Sequence, residues 1–196
     1  MNIQKKTRLS IKSISKSFGS NSVLKKVSFD LFPGEITSFI GANGAGKTTL
    51  VKILAGIYKF EEGKIEIDGV NYSPINPTDA MRKGIAIVHQ IISEGVIEDM
   101  TVYENLVIDR LCIGDSDIYF NKKKAKKIAK KIAESLDLDL PLSSLTRDLS
   151  QAEKQLVAIA RSMAHNPKIL ILDEPSSSLS SKETERLFVL VEKLKK

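Results

Sequence analysis

The stretch GANGAGKTT, residues 41–49, has the residue types and the spacing of a phosphate-binding loop. It satisfies the pattern G-x-x-x-x-G-K-[ST], in which backbone N–H groups of a glycine-rich turn surround phosphate oxygens. In this pattern Lys47 reaches the β- and γ-phosphates, and the Thr48 hydroxyl ligates Mg²⁺. The sequence therefore predicts a bound nucleoside triphosphate, contacted by Gly41, Asn43, Gly44, Ala45, Gly46, Lys47, Thr48 and Thr49.

A second candidate for chemistry is ILILDE, residues 169–174. Its apolar run is typical of a buried parallel strand, which would deliver Asp173 to the carboxyl end of a sheet. There Asp173 can hold Mg²⁺, directly or through water. Glu174 is then available as a general base or to position the attacking water. Together with the glycine loop upstream, the two acids indicate nucleotide hydrolysis.

The elements that must position these residues are visible in the hydrophobic pattern. The first third is β-rich, with strand-like runs in LSIKSISKSF, VSFDLFPGEITSFIG and KIEIDGV. Within the second run, ITSFIG is predicted to be the strand that leads into the glycine loop. TLVKILAGIY follows with apolar residues at helical spacing. Strand, loop and helix form the context that the phosphate-binding pattern requires.

The remainder of the sequence is predicted to be mainly helical. Capping-box patterns at Thr101–Glu104, Ser150–Glu153 and Ser180–Glu183 predict three helix starts. The lysine-rich stretch NKKKAKKIAKKIAES is predicted to be a fourth helix, capped by Asn121. We favour a solvated surface for its lysines over a contact with acidic lipid or nucleic acid, and no aromatic residues interleave them. The predicted fold class is α/β, with a parallel sheet, a β-rich front and a helical insertion.

Composition restricts the class of protein. The 196 residues are 42% hydrophobic and 28% charged, with a formal net charge of +6 and a single cysteine, Cys112. These values fit a soluble globular domain in a reducing compartment. The sequence contains no apolar run long enough to cross a bilayer and no secretory signal, so a cytoplasmic location is expected.

The stretch LSQAEKQLVAIARSMAHNPKILILDEPSSSL makes the chain resemble the ATP-binding subunits of ABC transporters, from about Leu9 to its end. The resemblance implies a P-loop NTPase with a RecA-like parallel-sheet core, an antiparallel β subdomain and a helical subdomain. It implies a single nucleotide-binding domain over residues 1–196, with residues 1–90 and 160–196 as the ATP-binding core. The helical subdomain would span about residues 91–159.

The resemblance also assigns roles to individual residues. Phe18 lies where the family places an aromatic ring that stacks on adenine, and a core phenylalanine is the alternative. Gln90 matches the glutamine that contacts Mg²⁺ and the attacking water. LSQAEKQ, which we call the signature segment, occupies the place of the family's LSGGQ, which clasps the γ-phosphate bound by the opposite subunit. Its residues Ser150, Gln151 and Ala152 are thus expected at a nucleotide, and residues 176–180 at the partner subunit.

The family resemblance implies the motor domain of an importer that binds ATP and Mg²⁺, closes as a dimer and hydrolyses ATP. The style of MRKGIAIVHQ and DEPSSSLS is similar to the sugar-type group, in which two ATP-binding halves share one long chain. Partners would be a second ATP-binding domain (from the same long chain or a homodimer), transmembrane permease subunits and, indirectly, an extracytoplasmic solute-binding protein. The expected location is the cytoplasmic face of the membrane, with no nucleic acid bound.

Two departures from the family pattern qualify the expected activity. Gln151 and Ala152 replace the two signature glycines, whose absence of a side chain permits close backbone approach. The family's switch histidine lies beyond Lys196, so we expect that the natural chain is longer and that these 196 residues bind ATP better than they hydrolyse it.

Three alternatives were weighed against the transporter motor. A soluble ABC-type ATPase acting on nucleic acid or ribosomes is supported only by the positive net charge of the sequence. A binding-only, non-hydrolysing half is favoured by the altered signature. A guanine-nucleotide switch would need an Asn-Lys-x-Asp element, and the sequence NKKK has Lys124 where the aspartate belongs.

Overall fold

The computed structural model describes residues 6–88, 95–112, 121–173 and 179–195. The chain forms two compact units, residues 1–86 with 195–196, and residues 87–194. The first unit is rich in strands and the second in helices. The predicted α/β class is therefore confirmed, whereas the predicted division into a core over 1–90 and 160–196 and a helical subdomain over about 91–159 stays a prediction.

An antiparallel four-stranded sheet forms the first unit, in the order β2-β1-β3-β4. The apolar residues Leu9, Ile11 and Ile14 of β1 are buried, and a register irregularity between Ile11 and Ile14 keeps the later residue on the covered side. Three of these strands lie where the sequence predicted them. Their bounds are β1 Leu9–Phe18, β2 Asn21–Leu31, β3 Glu62–Ile67 and β4 Val70–Asn71.

Two helices belong to the same unit, α1 (Lys47–Leu54) and α2 (Pro77–Arg82). Helix α1 buries Leu50, Ile53 and Leu54, so the predicted apolar face is confirmed. It ends before the predicted Ile57, which is 47% exposed.

The predicted strand ITSFIG is wrong. Residues 36–41 adopt no strand conformation, and the sheet of the first unit ends at β2 on one side and at β4 on the other. Ile40 is 96% exposed, and Phe39 makes an edge contact with the ring of Phe29 at 4.8 Å between centroids. Apolar composition favours a strand only when a neighbouring strand supplies the ladder hydrogen bonds, and no neighbouring strand of this sheet lies along residues 36–41.

The second unit packs its helices around one apolar core. Its elements are α3 Val102–Cys112, α4 Lys122–Ser135, a 3₁₀ turn Thr146–Asp148, α5 Gln151–Met163, β6 Ile169–Leu172 and α6 Ser181–Lys193. The core includes Val102, Leu106, Ala129, Val157 and Leu187. Strand β6 pairs with β5 (Ile85–Val88), so the predicted ILIL strand is confirmed.

Helix starts in this unit follow the capping chemistry read from the sequence. Ser150 and Ser180 each complete a capping box with the glutamate three residues later. The Asn121 side chain accepts a hydrogen bond from the Lys124 N–H at 3.0 Å. Each cap satisfies backbone donors that the first turn of a helix leaves without partners.

Polar groups tie the segment of residues 95–101 to the helices. Asn105 is fully buried, and its side chain accepts from Ile97 N–H at 2.7 Å and donates to the Ile97 carbonyl at 2.9 Å. It also donates to the hydroxyl of buried Thr146 at 2.9 Å, and that hydroxyl donates to the Met100 carbonyl at 2.9 Å. Because buried polar groups are costly to leave unpaired, this network fixes the segment in one conformation.

We predict that Asn105→Ala lowers the free energy of unfolding by about 2–4 kcal/mol, because it leaves buried donors and acceptors of Ile97 and Thr146 without partners. Urea denaturation measures the change. Asn71→Ala, at an exposed position in β4, is the matched control and should change stability by less than about 0.5 kcal/mol. Equal stabilities of the two variants would show that the network contributes nothing.

Candidate functional site

The phosphate loop, residues 41–48, contains two left-handed backbone positions. Gly44 has φ 83° and Gly46 has φ 89°, a region that glycine enters without a steric penalty. Gly46 caps helix α1 without any side-chain hydrogen bond, and no acidic residue lies in the first turn of the helix. The first N–H groups of α1 and its positive end are thus directed at whatever binds in the loop, and this geometry fits an anion.

Gly46 is also held against the β sheet. A Cβ added there would lie 2.7 Å from Cδ2 of Leu24 and 3.1 Å from the carbonyl oxygen of Val23, both in β2. Such contacts are closer than van der Waals distance, so only glycine permits this approach. The sheet therefore fixes where the loop ends and the helix begins.

Lys47 lies folded over the loop. Its Nζ donates to the carbonyl oxygen of Gly41 at 2.6 Å and to that of Ala42 at 3.2 Å. These two hydrogen bonds hold the side chain across the turn. Thr48 is exposed at the start of α1, which leaves its hydroxyl accessible to a metal ion held by phosphates.

The Phe18 ring is 43% exposed at the end of β1, so the alternative of a core phenylalanine is not what the structure shows. It makes an edge contact with the ring of Tyr58 at 5.2 Å, and the Lys16 ammonium lies 5.2 Å from its centroid. An exposed ring with a fixed edge can offer a face to a planar base. Tyr58 could not be singled out from the sequence, because only the fold brings it to β1.

The strand end that carries Phe18 is held in place by Glu61. The Glu61 carboxylate accepts from Ser17 N–H at 3.1 Å and from the Lys16 ammonium at 3.1 Å. The Ser17 N–H, together with Lys16, holds the pKa of Glu61 below its ordinary value. These bonds fix the backbone next to the aromatic ring.

Asp173 directly follows β6 in the second unit, where its N–H donates to the Val88 carbonyl at 3.0 Å. Its position at the end of an apolar strand is the one predicted from ILILDE. Gln90 and Glu174, for which roles in catalysis were predicted, lie outside the described residues. Residues 176–178 of the predicted partner-facing loop lie outside them as well.

The signature segment begins helix α5, and Ser150 is its cap. The Ser150 hydroxyl donates to Oε2 of Glu153 at 2.8 Å, and the Ser150 N–H donates to the same oxygen at 2.8 Å. Glu153 thus places a carboxylate beside the hydroxyl that the family resemblance assigns to a phosphate. The sequence identified this pair as a helix cap but not as a negative charge in a nucleotide-facing position.

A cavity of about 210 Å³ lies between the first turns of α5 and α6. Gln155 lines it and is 2% exposed, and within the part of the chain that the structure describes its Nε2 has no hydrogen-bond partner. Ser150 and Glu153 line the same cavity, together with Ala152, Leu156, Leu179, Glu183 and Leu187. The side of the signature segment that faces α6 therefore borders an open cavity.

The described elements and the phosphate loop define a nucleotide-binding P-loop protein. The family model for the ABC transporter domain matches residues 24–177, a span that includes the phosphate loop, the signature segment and Asp173. The chain therefore belongs to the ABC transporter family.

Relatives and solved structures agree with this assignment. The chain is 39% identical over 188 residues to the ribose import ATP-binding protein RbsA of Bacillus licheniformis, covering 96% of this chain and 38% of that protein. It is 40% identical to RbsA of Caldanaerobacter subterraneus, covering 96% of this chain and 37% of the relative. The chain thus spans less than two fifths of the length of these curated relatives.

Two crystal structures show the same fold. The ADP conformation of an ATP-binding cassette of an ABC transporter matches with a TM-score of 0.81 and 29% identity, covering 96% of this chain and 77% of that chain. A nucleotide-free ATP-binding cassette from an ABC transporter matches with a TM-score of 0.83 and 28% identity, with the same coverage. The predicted P-loop NTPase fold is therefore confirmed.

Gly44→Ala and Gly46→Ala form a matched pair, because both glycines have positive φ but only Gly46 lies against β2. We predict that Gly44→Ala costs about 1 kcal/mol of stability, from backbone strain alone. Gly46→Ala should cost about 2 kcal/mol more, because the methyl group overlaps Leu24. Urea denaturation of both variants measures the difference; equal costs would contradict the role of the β2 contact.

Proposed function

We propose that this chain is the ATP-binding and ATP-hydrolysing motor domain of an ABC importer for sugars. The observation that carries the proposal is the phosphate loop, with a helix whose N-cap makes no side-chain hydrogen bond and the Lys47 ammonium folded across the loop. The relatives named as ribose import ATP-binding proteins support the solute class. Dimer closure on ATP would then supply the mechanical step of transport.

In the proposed reaction, Lys47 exchanges two carbonyl partners for phosphate oxygens. The exchange replaces neutral acceptors with anionic ones, so Coulomb attraction between the ammonium and the phosphate adds to hydrogen bonds that are already charge-assisted. The glycine turn contributes backbone N–H groups through residues 41–49, and Phe18 stacks on the base. Catalysis by such a site consists mainly of positioning and charge stabilisation.

Asp173, Gln90 and Glu174 take the roles that the sequence predicted for them. Mg²⁺ held by Thr48, Asp173 and Gln90 would neutralise charge on the phosphate oxygens. Gln90 orients the attacking water, and Glu174 accepts its proton. Separate carboxylates for the metal and for the water keep these two tasks independent.

The partners in this proposal are transmembrane permease subunits, a second ATP-binding domain and, indirectly, an extracytoplasmic solute-binding protein. Within the described ranges, no helix is both long and apolar enough to cross a bilayer. The proposed location is peripheral, on the cytoplasmic face of the membrane, where the motor meets its permease.

Nucleotide binding tests the proposal directly. We predict that the chain binds Mg-ATP and that Lys47→Ala weakens binding about thirtyfold or more, through lost hydrogen bonds to charged oxygens. Lys59→Ala, at an exposed lysine outside the loop, should leave affinity unchanged. Isothermal titration calorimetry with ATP and GTP measures both variants; unaltered ATP affinity in Lys47→Ala would refute the site.

Turnover separates the alternatives. Tight ATP binding with little hydrolysis by these 196 residues fits a motor domain that needs further residues and a partner. Glu174→Gln in the full-length protein distinguishes a hydrolysing motor from a binding-only half, because only the motor loses turnover. Rapid hydrolysis stimulated by RNA would instead favour the soluble ATPase.

The Glu153 carboxylate changes what is expected of phosphate binding at Ser150. If Ser150 clasps the γ-phosphate held by a partner domain, as the resemblance implies, the phosphate approaches a hydroxyl that lies 2.8 Å from a carboxylate oxygen. A phosphate bound to this hydroxyl would therefore lie within a few ångströms of the Glu153 carboxylate, and like charges that close repel each other near a protein surface. We infer that Glu153 weakens ATP-dependent dimer closure.

We predict that Glu153→Gln strengthens ATP-dependent association of the chain about tenfold, because glutamine removes the charge and still completes the capping box. Sedimentation velocity with and without Mg-ATP measures the association. Glu134→Gln makes the same chemical change at an exposed position of α4 that does not line this cavity, and it should have little effect. Equal association of Glu153→Gln and the unaltered chain would show that the carboxylate does not oppose the phosphate.

A further inference from the structure

Helix α4 presents a continuous cationic surface. Its exposed lysines include Lys122, Lys123, Lys126, Lys127, Lys130 and Lys131, which we call the lysine face. The only acidic residue of the helix is Glu134, near its end, and it lies 3.6 Å from the Lys130 ammonium. Fourteen residues of helix extend for about 20 Å, so the lysine face is an elongated strip of positive charge.

The lysines lie where they are unfavourable for the helix itself. Helix α4 has no acidic residue in its first turn, which instead contains Lys122 and Lys123. The positive end of a helix favours acids, and α5 and α6 each place a glutamate there. The lysines in the first turn therefore lower the stability of α4, and a helix with no role for its charges would not need them there.

The opposite side of α4 is already covered. Ala125, Ala129 and Ala133 are buried in the core of the second unit, and Ile128 and Ile132 pack against that core. No apolar stripe of the helix is left to enter a bilayer or a groove. Any partner of the lysine face must therefore be held by charge alone.

The composition of the face discriminates among anionic partners. It contains no arginine, whose planar guanidinium reads phosphates and bases in fixed geometry, and no aromatic residue on which a base could stack. Lysines are flexible point charges, and they suit a surface whose anions are numerous and not fixed in position. An anionic bilayer has those properties.

We propose that the lysine face is a docking surface for the anionic headgroups of a lipid bilayer. The inference goes beyond the motor function and depends only on its peripheral membrane location. The surface would orient the second unit against the membrane independently of the permease. Clusters of four to eight basic residues on one helix are of the size that anionic leaflets attract.

The test is co-sedimentation of the 196-residue chain, without nucleotide, with two kinds of vesicle. One is pure phosphatidylcholine and the other contains about one third phosphatidylglycerol. We expect binding to the anionic vesicles alone, with release at high salt because nothing inserts. Each lysine near such a surface strengthens binding about fivefold, so Lys123→Glu, Lys127→Glu and Lys131→Glu combined should weaken it at least about a hundredfold.

A matched control separates the lysine face from net charge. Lys25→Glu, Lys59→Glu and Lys182→Glu combined change three exposed lysines elsewhere, and both triple variants lower the formal charge from +6 to 0. The control should retain most of the binding. Circular dichroism verifies folding, and Lys123→Glu places one acid in the first turn of α4, where it should stabilise the helix.

Three outcomes would overturn the proposal. The first is that the chain binds both kinds of vesicle equally or binds neither. The second is that the two triple variants lose binding to the same extent. The third is that a single-stranded RNA homopolymer, at equal phosphate concentration, removes the chain from the vesicles. In the last case, dependence on the lysine face would assign the surface to nucleic acid. Because nucleotide is absent, failure here leaves the ATP-binding result of Lys47→Ala untouched.

Discussion

The contact between Gly46 and strand β2 is the constraint on which the nucleotide site depends. A helix offers its N–H groups to an anion only if its first turn is free of caps and held in place. In this chain the β sheet holds it, because Leu24 and Val23 leave room for no side chain at Gly46. The same sheet carries Phe18, so the elements that would bind the phosphates and the base belong to one unit.

The second unit is organised by charge and capping as much as by its apolar core. Arg161 forms a bidentate ion pair with Asp109, at 2.6 and 2.7 Å, and joins α3 to α5. Lys154, which is buried in α5, reaches Glu98 at 2.7 Å. The signature segment therefore begins a helix that is fixed along its length, while Ser150 and Glu153 remain at its accessible end.

The features predicted best from the sequence are those that depend on residues close together along the chain. The capping boxes at Ser150 and Ser180 and the cap at Asn121 were readable because both partners lie within three residues of each other. The strand ITSFIG was predicted wrongly. A strand forms only where another strand pairs with it, and an apolar run does not show whether such a strand lies beside it. For the same reason the contact of Tyr58 with Phe18 and the network around Asn105 became visible only in the fold.

The polar ties of residues 95–101 have a mechanical meaning. Gly95 is hydrogen-bonded to Arg161, Ile97 to Asn105, Glu98 to Lys154 and Met100 to Thr146, so four of the seven residues of the segment each have their own attachment. A segment attached at one point can rotate about it, whereas a segment attached at four points cannot move independently of the helices. We therefore expect a displacement of Gly95 to move α5 and its signature end with it, without bending the segment.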